Sequence, residues 1–113
     1  MDSQIDPRII ETNNLLISSD NGVAQVERIF PSSTAKNKCK TEHGTVIVAE
    51  MLHGTIPTGE MVTITSEGRE ITKDVVVRIE EKYSEIKIAS ASHSVGFCLQ
   101  KSRLKTIKEA LRA

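Results

Sequence analysis

Aromatic side chains are nearly absent: the 113 residues contain two Phe, one Tyr and no Trp, namely Phe30, Phe97 and Tyr83. A core must therefore be assembled from Val, Ile, Leu, Met and Ala, and base stacking on aromatic platforms is poorly provided for. Cysteine is scarce as well. Cys39 and Cys98 lie far apart with no framework of repeated spacings, which excludes a disulfide scaffold and suits free thiols in a reducing compartment. No apolar stretch approaches the length of a bilayer span, and the opening MDSQIDPRIIETNN lacks the basic region and apolar run of a signal peptide, so a soluble, cytoplasmic protein is expected. Net charge is also missing. Fifteen basic and fifteen acidic residues cancel, which argues against a uniformly basic protein that coats nucleic acid.

The charges that are present are unevenly spread. Residues 1–43 carry 5 basic and 6 acidic side chains, residues 44–100 carry 5 and 8, and residues 101–113 carry 5 and 1. A basic tail thus follows a mildly acidic body. A second basic feature precedes Gly44, where Lys36, Lys38 and Lys40 occupy every second position of a polar loop and would share one side of an extended chain.

Apolar patterning indicates short strands. Residues 1–13 are polar and read as a loose arm, with Asp6-Pro7 the only local helix signal. Leu15–Ile17 and Val23–Phe30 flank Asn21-Gly22, a strong hairpin signal, and the period of two slips between Val26 and Ile29 as at a bulge. In Gly44–Ile64, GTVIVAEMLHGTIPTGEMVTI, both faces of the first run are apolar, which predicts a strand covered on both sides or closed into a barrel. A turn over Gly54–Gly59 is expected before a strand at Met61–Thr65. Ser66-Glu67-Gly68 and Glu81–Ser84 mark two further hairpins, and Val95, Phe97 and Leu99 make one face of a last strand. Leu104, Ile107 and Leu111 then recur at helical spacing, predicting a short amphipathic helix within about 101–113 that starts as late as Thr106, where Thr106 and Glu109 match a capping box. Six or more short strands and one terminal helix predict a single mainly all-β domain over 14–113, a small closed antiparallel barrel.

The spacing of Gly44-Thr45-Val46, Gly54, Ile56, Gly59, Val62 and Ile64, followed by Ala91, Val95, Gly96, Phe97 and Leu99, resembles the second domain of elongation factor Tu and the other translational GTPases. The resemblance spans roughly Val23 to Gln100. It implies a barrel of the translation-protein type, with Gly44, Gly54, Gly59 and Gly96 as structural glycines at barrel corners. It further implies contact with ribosomal RNA or the acceptor end of a transfer RNA. Ala49 departs from the pattern, standing where the family often has another glycine. The GTP-binding domain is missing: Gly54 and Gly59 are five apart, but Glu60 and Met61 follow where a phosphate-binding loop needs Lys and Ser or Thr.

Other chemistry finds little footing. Cys39, His43, His53, His93 and Cys98 are metal-ligating types, but no pair has a standard zinc spacing, so they read as loop residues and a buried free thiol. Ser92-His93-Ser94 offers nucleophile and base types, yet neighbours on an extended loop point to opposite sides. Glu80-Glu81 reads as solvated surface. No catalytic residue, metal or cofactor is expected. Lys36, Lys38, Lys40, Lys101, Arg103, Lys105, Lys108 and Arg112 are the candidate RNA-binding residues, with RNA or the ribosome as partner. A protein-interaction or assembly module, docking through the Leu104, Ile107, Leu111 face, is the alternative.

Overall fold

A computed structural model describes residues 10–11, 14–31, 39, 45–82, 84–91 and 93–112. Lys36, Lys38, Lys40, His43, Gly44, Tyr83 and Ser92, all singled out above, lie outside these residues. The strands are β1 (Ile10–Glu11), β2 (Leu15–Ser18), β3 (Gly22–Pro31), β4 (Thr45–Pro57), β5 (Met61–Ser66), β6 (Arg69–Glu81), β7 (Ser84–Ile86), β8 (Ile88–Ser90) and β9 (Ser94–Leu99), and one helix follows, α1 (Leu104–Arg112). Six strands pair in the antiparallel order β3-β2-β5-β6-β9-β4, and β4 returns to β3 to close the barrel. No described helix is long and apolar enough to cross a membrane.

Alternation decides which side chains enter the barrel. Leu15 and Ile17 are buried while Leu16 between them is exposed, and Val62 and Ile64 repeat the pattern on β5. The slip on β3 is a bulge: the register with β4 shifts between Val26 and Arg28, so Val26 and Ile29 both reach the interior. A second bulge on β6, between Val76 and Arg78 against β9, does the same for Val76 and Ile79. Phe97, the largest wholly buried side chain, sits among Ile17, Ile47, Ile64 and Ile79 and compensates for the shortage of aromatics elsewhere.

The inner face of β4 is covered along the barrel, but its outer face only at the start, since Glu50 and Leu52 are exposed. Ile47, Ala49 and Met51 join the barrel core, whereas Val46 belongs to a separate outer cluster with Cys39, Cys98, Phe30 and Val77. That cluster contains a disulfide between Cys39 and Cys98, whose Cα atoms are 5.6 Å apart. The expectation of free thiols is corrected here. Cys98 pairs with Val46 across the β4–β9 ladder, and its sulfur on the outer face of β9 meets that of Cys39. A sequence separation of 59 residues conceals that adjacency.

Several boundaries differ from the sequence reading. β4 does not stop at Gly54 but bends there, with φ 74°, and continues to Pro57 in a pairing with β8. Ile10 and Glu11 in the expected loose arm pair with Ile29 and Arg28 of β3. α1 begins at Leu104, so Thr106 lies inside its first turn and is not its cap. Glu80 is buried and receives the Nε–H of Arg78 at 2.6 Å, where solvated surface was expected. Arg78 and Glu80, two apart on the regular part of β6 beyond its bulge, lie on the same side, within reach of each other.

Candidate nucleic-acid interface

The segment between β9 and α1 carries Lys101 and Arg103, and a buried carboxylate on β6 holds it in place. Asp74 accepts N–H bonds from Lys101 at 2.9 Å and from Ser102 at 2.6 Å on one oxygen, and from its neighbour Val75 at 2.7 Å on the other. From the opposite side Thr45 Oγ1 donates to the Ser102 carbonyl at 2.6 Å. Two elements distant in sequence therefore grip one dipeptide. Burial pushes the Asp74 carboxyl up, but the Ser102 hydroxyl and the N–H groups of Lys101, Val75 and Ser102 more than offset this and hold it below the ordinary carboxylate range. The Ser102 hydroxyl favours the charged carboxylate by proximity, yet its buried Oγ completes no hydrogen bond of sound geometry among the described residues.

Past this clamp, Ile107 is wholly buried and joins the barrel core, with Leu104 and Leu111 packed against it. The helix cannot rotate without exposing Ile107. Arg69, at the start of β6, donates to the Ala110 carbonyl at 3.0 Å and satisfies one of the open acceptors at the helix C-terminus. The apolar face considered above for docking on another protein is thus occupied by the protein's own barrel.

Fixing the apolar face inward sets the cations outward. Lys101, Arg103 and Lys105 are exposed, and Lys108 is half-buried. Arg112 is the last residue of α1. An open cleft of about 180 Å³ lies where the clamp meets the helix, and its lining includes Lys73, Lys101 and Arg103 together with Thr72, Ser102 and Thr106. Lys73 was not among the residues expected from the sequence. It is exposed on β6, one position before Asp74, and comes to Lys101 only because Asp74 binds the backbone of residues 101–102.

Two described residues next to the second basic segment in sequence are tied to the stretch between Cys98 and α1. Cys39, between Lys38 and Lys40 in sequence, is bonded to Cys98, three residues before Lys101. Thr45, which follows that segment, is bonded to Ser102. Both ties join the surroundings of one basic segment to the surroundings of the other.

The remaining candidates are dispersed. Both cysteine sulfurs are consumed in the disulfide and offer no thiolate for a metal. His93 Nδ1 lies 2.8 Å from Glu81 Oε2, while Ser94 Oγ donates to Glu27 at 3.2 Å, so the two side chains engage different partners. His53 is exposed on β4. Among the described residues no three His, Cys, Asp or Glu side chains gather as a metal site. Gly54 and Gly59 have φ of 74° and 92°, whereas Gly96 meets Val46 at an ordinary contact distance of 3.6 Å for an added Cβ. Gly22 was not singled out from sequence as a close approach. An added Cβ there would fall 2.6 Å from the Thr55 backbone, directly opposite Gly54 in the ladder.

No protein-family model and no curated protein sequence matches the chain.

Proposed function

We propose that the chain is a non-catalytic binding module, a barrel of the translation-factor type, whose basic segments contact the phosphate groups of an RNA or ribonucleoprotein surface. The observation that carries this reading is the pair of ties from Cys39 to Cys98 and from Thr45 to Ser102, which set the flanks of the two lysine-rich segments side by side on an otherwise acidic body. Scarce aromatics favour contact with backbone phosphates over stacking on bases. The closed antiparallel barrel agrees with the resemblance through Gly44–Ile64, although a fold alone does not confer a function. Docking on a protein through the α1 apolar face is the weaker reading, because Ile107 is buried in the core.

Gel-shift titration against ribosomes and total RNA tests the proposal. Binding is expected at low salt and to weaken as salt rises, with a logarithmic slope of about −2 to −4 for a handful of phosphate contacts. The double variant Lys101→Gln, Arg103→Gln should reduce that slope. No binding at low salt, or binding indifferent to salt, sinks the reading. A cytoplasmic location follows from such a partner, and the disulfide is the observation that opposes it, since reducing compartments disfavour these bonds. Mass spectrometry of the protein, alkylated as cells are lysed, decides between them.

A further inference from the structure

We infer that the cleft between β6 and the start of α1 is a seat for a phosphomonoester, the terminal phosphate of an RNA strand; this rests on the RNA reading above and narrows it to one site and one chemical group. Its electrostatics carry the inference. Lys73, Lys101 and Arg103 bring three positive charges to one cleft, and the Asp74 carboxylate behind the Lys101–Ser102 backbone contributes one negative charge. The helix N-terminus adds roughly half a positive charge, and the first turn of α1 contains no acidic residue to neutralise it. The sum, about two and a half positive charges, is answered more fully by a phosphomonoester, which carries roughly −1.5 to −2 near neutral pH, than by the single charge of a backbone phosphodiester.

Hydrogen-bonding capacity points the same way. The first intrahelical bond runs from the Ile107 N–H to the Arg103 carbonyl, so the preceding N–H groups of the helix start face outward without helical partners. Thr72 and Thr106 supply hydroxyl groups in the lining. Ser102 also lines the cleft, where its backbone is fixed by Asp74 and Thr45. A volume of about 180 Å³ admits a tetrahedral oxyanion together with several waters, each occupying about 30 Å³ in the liquid.

The experiment compares one short RNA sequence bearing a 5′-phosphate, a 3′-phosphate or hydroxyl ends only, with inorganic phosphate as a fourth probe. Binding is followed on the full-length chain by amide chemical shifts and by fluorescence anisotropy. A phosphorylated end should bind roughly tenfold tighter than the hydroxyl form, in line with one or two added charge-assisted hydrogen bonds. Saturable shifts should appear at Lys101–Thr106. Lys73→Gln, an exposed substitution whose fold is checked by its thermal midpoint, should bring the ratio of the phosphorylated-form to hydroxyl-form affinities, measured on the same variant, close to one. Equal affinity for all three RNAs, or a preference that survives Lys73→Gln, overturns the inference and leaves the broader RNA reading standing. If no RNA binds while inorganic phosphate still shifts Lys101–Thr106, the RNA source is overturned and the phosphate seat is upheld. Absence of any shift with inorganic phosphate, together with absence of RNA binding, overturns both.

Discussion

Asp74 shows how much of the interface depends on one side chain that does not face it. Its two oxygens satisfy three backbone N–H groups, so its removal leaves buried donors unpaired at Val75, Lys101 and Ser102. Asp74→Asn retains the size but replaces one acceptor with a donor that opposes those N–H groups. A loss of about 1–3 kcal/mol at neutral pH is expected, measured by urea denaturation. The pH dependence has a definite sign. Because the folded carboxyl is held below its ordinary range, its contribution is complete above about pH 4 and is lost as the pH falls through the lower, folded value. The native protein should therefore lose stability on acidification below about pH 4 more steeply than Asp74→Asn. Equal slopes in that window would remove Asp74 from this role. An acid between Lys73 and a run of three valines was visible in the sequence as a break in an apolar strand, but its partners, some 27 residues away, were not.

At the scale of elements, the bend of β4 decides where the barrel opens. Gly54 combines a positive φ with contact against the β2–β3 turn, where a Cβ would lie 2.0 Å from the Asn21 carbonyl oxygen. Thr55 N–H, the next donor along, bonds that same carbonyl at 3.0 Å. Gly54→Ala is thus expected to cost about 3 kcal/mol or more, from backbone strain and overpacking together. Gly59→Ala is the control. Its φ is also positive, at 92°, but a Cβ there meets nothing within 4 Å, so about 1 kcal/mol from the backbone alone is expected. Thermal denaturation of both variants checks the difference, and equal losses would show that the close approach at Asn21 has no energetic weight. Helix α1 illustrates the converse case. Leu104, Ile107 and Leu111 were readable as one face, yet the start at Leu104 is set by the clamp on residues 101–102 and not by the Thr106–Glu109 pattern.

For the whole molecule, a closed barrel and one disulfide divide the work of holding the chain. The bond closes a loop of 59 residues in the unfolded state, which by chain entropy alone stabilises the fold by about 4 kcal/mol. Urea denaturation with and without a phosphine reductant should show a loss of that order, with the barrel still folded because its core lies on the other face of β4 and β9 from the sulfurs. An unchanged midpoint would mean that the bond does not form in solution. The sequence by itself determined the class of fold. Local alternation, the Asn21-Gly22 and Glu67-Gly68 turns, the slipped period at Val26–Ile29 and the two-faced β4 are properties of neighbours along the chain, and strand geometry follows from neighbours. Only the tertiary structure decided that Cys39 meets Cys98, that Lys73 joins Lys101 and Arg103, and that the α1 apolar face is spent on the barrel. The physical reason is register. Which residues meet across a closed barrel depends on bulges and on strand pairings between segments tens of residues apart, and no pattern within one segment encodes its partner.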